Sequence, residues 1–342
     1  MTDIEFGCLP TMIGSLPHTD PLKACSLVGK YLKDIPAWPQ LPRRSFKETM
    51  CAQFSEGFPG IEVREDSIYV DRSKDWDQPL ERLYNAYLDN DFDKYAISTG
   101  YAAGLHRFLK LGNPSARAVK GQVTGPISWG LTVTDDSKRA IIYDDMLADT
   151  AVKLLRLKAI WQEKALAKIS RNTIIFVDEP AMASYGSAYV SLSRDRVINL
   201  LEEVLGSISS LKGIHCCGNT DWSVLLDTST NIISFDTYNY ARSLTLYPAE
   251  VKSFLDRGGA IAWGIVPNEE KQLAQETASS LKDRLEEAMA PFTRKGVPFR
   301  QLIKQGLLTP SCGLGLITNE DAAARVLELL VELSIKMRKR YM

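Results

Sequence analysis

The segment Thr173-Ile-Ile-Phe-Val-Asp-Glu-Pro180 is an apolar run that ends in two carboxylates and a proline. A short apolar run bounded by turn residues is typical of a strand that is buried on both faces of a sheet. Amphipathic, helix-like patterns stand on either side of it, over Asp144–Ser170 and Arg194–Leu211. Because strands that alternate with helices form parallel sheets, this stretch predicts an α/β fold.

The same alternation of short apolar runs and longer amphipathic segments continues along the chain and predicts eight strands. They are Pro10–Pro17, Pro36–Pro42, Arg117–Pro126, Thr173–Pro180, Lys212–Asn219, Asn231–Tyr238, Ala260–Pro267 and Leu307–Leu314. Eight strands that alternate with helices predict one (β/α)8 TIM barrel domain spanning residues 1–342. The second strand is the weakest, because its prolines cannot donate hydrogen bonds to a ladder.

Residues 43–116 form a long insertion between the second and third predicted strands. Its aromatic and acidic part, Tyr69–Asp77, predicts an inserted hairpin or lid. Three further helices are predicted later in the chain, at Pro248–Arg257, Glu276–Ala290 and Asn319–Arg340. The last of them begins with Thr318 and Asp321 at the spacing of a capping box.

The composition excludes several classes of protein. The 342 residues are 45% hydrophobic and 24% charged, which is enough to bury the core of one barrel. A net charge of −1 gives no reason to expect nucleic-acid binding. The six cysteines lack the short-range framework of a secreted disulfide scaffold. Neither a signal peptide nor an apolar run of membrane-spanning length is visible, so we expect a cytoplasmic protein with reduced cysteines.

A histidine and two cysteines stand where predicted strands end, in Ile214-His-Cys-Cys-Gly-Asn-Thr220 and Thr309-Pro-Ser-Cys-Gly-Leu314. Residues i and i+2 of a strand face the same way, so His215 and Cys217 should point together. With Cys312 they form a soft ligand set that suits zinc and leaves a fourth position open. Two thiolates favour alkylation of a substrate thiol over hydrolysis. The alternative is three unrelated buried residues.

Asp236 ends the apolar run that begins at Asn231. Three roles are compatible with this position. It is a fourth zinc ligand that substrate displaces, a hydrogen-bond partner of one of the ligands, or a carboxylate that contacts only backbone. The sequence alone leaves all three open.

Two other strand ends carry candidate groups for binding a substrate. Asp178 is predicted to take part in catalysis by binding the ammonium group of an amino-acid substrate, and the alternative is an acid at a helix N-terminus. After Ile13, the residues Gly14 and Ser15 form a tight turn whose backbone N–H groups are suited to a carboxylate. A turn with no functional role is the alternative there.

Several motifs occur in a fixed order between about residues 10 and 330. They are Ile13-Gly14-Ser15, Met50…Phe54-Ser55-Glu56…Gly60, Thr124-Gly-Pro126, Asp178-Glu-Pro-Ala181, His215-x-Cys217, Ile233-Ser-Phe-Asp236 and Pro310-Ser-Cys312-Gly-Leu314. Together they resemble the catalytic C-terminal half of cobalamin-independent methionine synthase. That family has a (β/α)8 barrel, in which zinc activates homocysteine for methylation by a polyglutamylated methyltetrahydrofolate.

The resemblance also implies roles for particular residues. Zinc would be held by His215, Cys217 and Cys312, with Asp236 at the position of a glutamate ligand in the family. The turn at Ile13, Gly14 and Ser15 would contact the carboxylate end of homocysteine, and Asp178 would contact its amino group.

The chain departs from the family pattern in three places. The N-terminal half of the family is missing. The Gly-Glu-rich segment before Met50 is replaced by residues 41–48, where either Glu48 substitutes for a carboxylate or Arg43 and Arg44 indicate a different substrate end. Cys217-Gly-Asn-Thr220 is more similar to the methylcobamide:coenzyme M methyltransferases of the uroporphyrinogen decarboxylase superfamily.

These departures predict a short methionine synthase in which a methyl-corrinoid, delivered by a carrier protein, replaces the folate. The predicted enzyme is a zinc methyltransferase that forms methionine from homocysteine. The alternatives are a coenzyme M-type or folate-dependent thiol methyltransferase, a lyase like uroporphyrinogen decarboxylase, and a non-catalytic zinc- or thiol-binding protein.

Overall fold

A computed structural model describes residues 4–112, 115–188 and 190–342. In these ranges the chain forms ten strands and fourteen α-helices. The strands are β1 Leu9–Pro10, β2 Ile61–Val63, β3 Ile68–Val70, β4 Val119–Thr124, β5 Thr134–Asp135, β6 Thr173–Asp178, β7 Leu211–Cys216, β8 Ile232–Phe235, β9 Ala260–Val266 and β10 Gly306–Pro310.

Helices cover most of the connections between the strands. They are α1 Pro21–Tyr31, α2 Met50–Gln53, α3 Asp77–Leu88, α4 Ala103–Leu111, α5 Pro126–Thr132, α6 Asp145–Ala167, α7 Arg194–Leu205, α8 Trp222–Leu226, α9 Thr237–Leu244, α10 Pro248–Asp256, α11 Glu270–Leu273, α12 Ala278–Arg294, α13 Phe299–Lys304 and α14 Glu320–Tyr341. Short 3-10 helices lie at Phe46–Glu48, Phe92–Tyr95, Ile141–Tyr143 and Pro180–Ser184.

The five predicted helices are confirmed as α6, α7, α10, α12 and α14, with shifted ends. Helix α7 ends at Leu205 rather than Leu211, because Leu211 already belongs to strand β7. The predicted capping box at the start of α14 is wrong. Asn319 caps that helix instead, since its side chain accepts a hydrogen bond from the backbone N–H of Ala322.

Seven strands form one curled, wholly parallel sheet in the order β1-β10-β9-β8-β7-β6-β4 within the described ranges. The mixed α/β class is therefore confirmed, and the curled sheet agrees with a TIM-like fold. The prediction of eight strands is not met. Residues 36–42 form no strand in the described part of the chain, and only isolated bridges join Ala37 to Lys120 and Gln40 to Ser15. Prolines at 36, 39 and 42 lack the N–H groups that a ladder needs.

The predicted insertion contains the hairpin that its composition suggested. Strands β2 and β3 pair antiparallel from Ile61 to Val70, and β3 pairs in parallel with β5. The hairpin begins earlier than the stretch Tyr69–Asp77, whose end belongs to the start of α3. It forms a small sheet separate from the central one.

Side chains of the central sheet alternate between two cores. Ile174 and Phe176 belong to the inner cluster enclosed by the curled sheet, whereas Ile175 and Val177 pack in the outer cluster beneath the helices. Because alternate residues of a strand face opposite sides, Asp178 continues the inner face at the carboxyl end of β6. In the part of the chain that is described, no helix is long and apolar enough to cross a membrane.

Candidate metal centre and substrate cavity

Two strand ends bring together three side chains that could hold a metal ion. His215 is the second-last residue of strand β7, and Cys217 directly follows that strand. Cys312 follows strand β10. Their ligand atoms all lie within 4.8 Å of one another. Cys216 is fully buried and packs in the outer core. The structure thus has the arrangement expected for residues i and i+2 of one strand.

The chemistry of these three groups fits a zinc ion. The Nδ1 atom of His215 lies 3.0 Å from the hydroxyl of Ser234 on the neighbouring strand β8, and this contact orients the ring. The other ring nitrogen, Nε2, is buried and finds no hydrogen-bond partner among the described residues. A buried, unpartnered imidazole nitrogen beside two thiols is the donor set that catalytic zinc takes in proteins.

The sulfur atoms of Cys217 and Cys312 are joined by a hydrogen bond that shifts the pKa values of both thiols. A hydrogen bond from the Cys312 thiol, together with His215, holds the pKa of Cys217 well below its ordinary value, despite burial. The same bond and burial raise the pKa of Cys312. One sulfur of the pair is therefore readily a thiolate, which is the form that binds metals.

Asp236 is placed differently from the other three candidate ligands. It caps helix α9, where its carboxylate accepts hydrogen bonds from the backbone N–H of Asn239 at 2.9 Å and from the side-chain amide of Asn239 at 2.7 Å. It is not a member of the three-residue ligand group. Burial raises its pKa, and the bonds to Asn239 act in the opposite direction.

A cavity of about 330 Å³ opens beside the metal ligands. Its floor is formed by His215, Cys217, Cys312 and Asp178, and Ser15 lies in its wall. The polar residues Gln40, Glu48 and Thr49 also line the cavity, and its apolar lining includes Ile13, Pro42, Met50, Pro180 and Leu316. The cavity therefore combines a polar floor with an apolar mouth, which is the usual composition of a small-molecule site.

Asp178 is a buried carboxylate at the floor of the cavity, only 5% exposed. It pairs in register with His215 on strand β7. Its Oδ1 atom has no hydrogen-bond partner in the described part of the structure. Burial raises the pKa of Asp178, and the positive charge of Lys120 opposes that shift. An unpartnered buried acceptor that faces a cavity is a strong candidate for contact with a ligand.

The turn from Ile13 to Ser15 lies against the same cavity, and its glycine is required by close packing. A Cβ atom on Gly14 would lie 2.6 Å from the side-chain oxygen of Gln40. The hydroxyl of Ser15 accepts a hydrogen bond from the backbone N–H of Gly315 at 3.1 Å. The Ser15 side chain thus fastens the loop that carries Cys312.

Glu48 is a cavity residue that the sequence flagged only as an alternative. It is fully buried in the cavity wall, and its Oε1 atom accepts a bond of 2.6 Å from Arg44. Its Oε2 atom has no partner among the residues that the structure describes. Burial raises its pKa, and Arg44 together with the nearby backbone N–H groups of Ala103 and Leu41 lowers it. The spacing of Arg44 and Glu48, four residues apart, was a visible signal of this ion pair.

Arg43 contacts protein rather than the cavity. Its guanidinium donates to the backbone carbonyls of Gly315, Ile317 and Thr318, at 3.1 Å for Gly315 and 2.9 Å for Thr318. This arginine therefore holds the loop after Cys312. The sequence could not show this contact, because the partners are backbone atoms about 270 residues away.

Comparison with known proteins gives structural neighbours only. No protein-family model and no curated protein matches the sequence. A B12-independent methionine synthase from Shewanella sp. W3-18-1, solved with selenomethionine, is similar with a TM-score of 0.60 and 18% identity, over 97% of this chain and 98% of that one. A putative vitamin-B12 independent methionine synthase from Listeria monocytogenes gives 0.56 and 14%, over 93% of this chain and 86% of that one. At these identities the likeness shows a shared fold.

The prediction of a methyl-corrinoid donor on a carrier protein is wrong. Both structural neighbours are named as B12-independent enzymes. The motif that suggested a corrinoid, Cys217-Gly-Asn-Thr220, also has a local structural explanation. A Cβ atom on Gly218 would lie 2.5 Å from that of Ala183, and the hydroxyl of Thr220 donates to the carbonyl of Met182 at 2.7 Å. These contacts give Gly218 and Thr220 a local role in shaping the turn.

Proposed function

We propose that this chain is a zinc-dependent S-methyltransferase that converts homocysteine to methionine. The observation that carries the proposal is the convergence of His215, Cys217 and Cys312 beside a cavity with unpartnered buried carboxylate oxygens. The two neighbours named as methionine synthases, which share the fold over nearly their whole length, support it.

Zinc bound by these three residues would lower the pKa of a substrate thiol, ordinarily about 8.5, and so supply a thiolate nucleophile at neutral pH. The chain's own groups have the task of orienting the rest of the substrate. Asp178 and Glu48 each offer one free carboxylate oxygen to an ammonium group. The backbone of Gly14 and Ser15 offers N–H groups to a carboxylate. A thiol that carries both charged groups on one carbon, as an amino acid does, uses all of these contacts.

The apolar mouth of the cavity suits the methyl donor. Met50 and Leu316 lie at this mouth, and Leu316 is 93% exposed. Apolar side chains here exclude water from the reacting sulfur once a donor covers them. The donor in this proposal is a methylated folate, the alternative that remains after the corrinoid is excluded. The sulfur gains the methyl group, and the thiol proton ends on the folate nitrogen.

A metal analysis and a matched assay test the proposal. Purified protein should contain about one zinc per chain, and methionine should form from L-homocysteine with methyltetrahydrofolate as donor. Coenzyme M, which has a thiol but no ammonium or carboxylate group, should be a poor acceptor. Zinc-loaded protein that neither binds homocysteine nor methylates it would refute the proposal. Equal turnover of coenzyme M would refute the assignment of Asp178 and Glu48.

A further inference from the structure

Lys120 is a lysine buried in the interior of the central sheet, beneath the substrate cavity. It is 0% exposed. Its Nζ atom donates to the carbonyl of Ile13 at 2.6 Å, lies 3.4 Å from Oε1 of Gln122 and lies 4.2 Å from the centre of the Phe176 ring. No carboxylate of the described residues lies within ion-pair distance of it, and the more distant charge of Asp178 only partly opposes the lowering of its pKa by burial. Burial of an ammonium group without such a partner is costly, so this position calls for a specific role.

The lysine lies on the side of the sheet where the predicted second strand, residues 36–42, does not form. Its backbone N–H donates to the carbonyl of Pro36 at 2.8 Å, and its carbonyl accepts from the N–H of Trp38 at 3.2 Å. Its side chain reaches beyond this segment to Ile13, on the extension of β1. One residue of β4 therefore ties together both neighbours at the place where a regular ladder is absent.

The bond to Ile13 fixes the direction of a backbone donor in the turn beside the substrate cavity, which Ile13 and Ser15 line. The carbonyl of Ile13 and the N–H of Gly14 belong to one planar peptide unit and point in opposite directions. The bond from Lys120 holds the Ile13 carbonyl toward the sheet interior. The N–H of Gly14 is therefore held in the opposite direction, away from the sheet interior. On the next peptide, the carbonyl of Gly14 accepts from the N–H of Gln40 at 3.0 Å. Both peptides of the turn are thus held in place.

The charge of Lys120 also matters for the cavity. Asp178 and Glu48 both place carboxylates there, and an amino-acid substrate adds a third. Arg44 balances Glu48 directly. The ammonium group of Lys120 is a buried positive charge in direct contact with the Ile13–Ser15 turn, through the carbonyl of Ile13.

We propose that Lys120 is a positioning residue for the carboxylate end of the substrate. Its ammonium group fixes the peptide between Ile13 and Gly14 and supplies positive charge beneath the bound carboxylate. This inference rests on the proposed function, because it assumes a thiol that bears a carboxylate. It differs from a purely structural role in one respect: removal of the ammonium group should weaken binding of a thiol that bears a carboxylate more than binding of its analogue without one.

The test compares two fully buried lysines and two thiols. Lys120→Met removes the ammonium group at nearly constant volume. Lys158→Met is the matched control, because Lys158 is also 0% exposed but lies in helix α6, where its Nζ bonds the carbonyl of Tyr95 at 3.4 Å. Calorimetry on the zinc-loaded full chain measures the binding of L-homocysteine and of 3-aminopropane-1-thiol, which lacks only the carboxylate.

Lys120→Met should weaken L-homocysteine binding about tenfold or more, the usual effect of losing a bond to a charged group. Binding of 3-aminopropane-1-thiol should weaken less than that of homocysteine, because Lys120 acts on the ammonium group only through Asp178. Zinc content should stay unchanged. Lys158→Met should change neither affinity. If Lys120→Met is insoluble, Lys120→Gln takes its place. Loss of the fold in both variants, with Lys158→Met intact, would show that the ammonium group serves the fold and would overturn the proposal.

Other outcomes separate this inference from the proposed function. Unchanged homocysteine affinity in Lys120→Met, or an equal loss for both thiols, refutes the role of Lys120 and leaves the function standing. Wild-type protein that binds 3-aminopropane-1-thiol but not homocysteine refutes the proposed substrate, and the role of Lys120 with it.

Discussion

The two sides of the central sheet are built in different ways. Between β6 and β10, neighbouring strands pair in parallel ladders of four or five residues. Between β1 and β4, the proline-containing segment of residues 36–42 makes only two single-residue bridges. The regular side carries the metal ligands and Asp178. The irregular side carries the turn at Gly14 and the carboxylate of Glu48.

The difference shows two ways of fixing a functional group. On the regular side, backbone ladders set the direction of each side chain, so a strand end is enough to place a ligand. On the irregular side, long side chains replace the ladder. Lys120 holds the carbonyl of Ile13, and Arg43 holds three carbonyls of the loop that follows Cys312. Precision there depends on single contacts between residues distant in sequence.

The largest effect should come from a ligand on the regular side. Cys217→Ala should lower zinc affinity more than about 100-fold, because even loss of a partner behind a ligand costs about 10–100-fold. Cys216→Ala is the control, since its side chain packs in the outer core. It should lower stability modestly and keep zinc. Competition with a chelator measures both affinities, and equal zinc binding by the two variants would show that the site is misassigned.

A second prediction compares one carboxylate from each side. Asp178→Asn should raise the KM for homocysteine about 10–100-fold, and leave zinc content unchanged. Glu48→Gln should raise it less, because Arg44 already occupies one oxygen of Glu48. Steady-state kinetics with both variants give the ranking. A larger effect at Glu48 would mean that the irregular side dominates recognition of the ammonium group.

A third prediction concerns the loop clamp on the irregular side. Arg43→Met leaves three backbone carbonyls without their donor and frees the loop that carries Cys312. Zinc affinity should fall about tenfold, the lower end of the effect of groups that orient a ligand. Arg300→Met, at an exposed position away from the cavity, is the control. Competition with a chelator measures the zinc affinity of both variants. If the affinity of Arg43→Met is unchanged, Arg43 contributes to stability alone and does not position Cys312.

The smallest effect is on stability and involves Lys158, which belongs to neither side. Burial lowers the pKa of its ammonium group from 10.5 to about 8. Below pH 8 the folded and unfolded chains both carry the proton, so the buried charge lowers the free energy of unfolding, by about 3 kcal/mol at most. As the pH rises from about 8 to 10.5, the folded chain releases its proton first and the penalty disappears.

Lys158→Met should therefore melt at a higher temperature than wild type at pH 7. The difference should shrink as the pH approaches 10, in thermal melts of the two proteins side by side. A difference that is constant with pH would mean that the gain comes from packing and not from the removed charge.

The sequence by itself determined the regular side of this protein. Apolar runs ending in Asp178, in His215 and Cys217, and near Cys312 predicted strands whose carboxyl ends meet, and the structure brings these residues together. This succeeded because strand direction and period-two alternation are local properties, and a parallel sheet places its strand ends at one edge.

Only the tertiary structure decided the irregular side. Because of its prolines, the segment of residues 36–42 was the weakest of the predicted strands. The sequence could not show that side-chain hydrogen bonds would take the place of its backbone ladder. The burial of Glu48, the reach of Lys120 and the clamp at Arg43 all join residues or elements distant in the chain. The sequence likewise could not show that Asp236 bonds Asn239 and caps helix α9. Such contacts depend on how whole elements pack against one another. A local pattern of residues predicts a helix or a strand, but it does not determine which distant residues that element will contact.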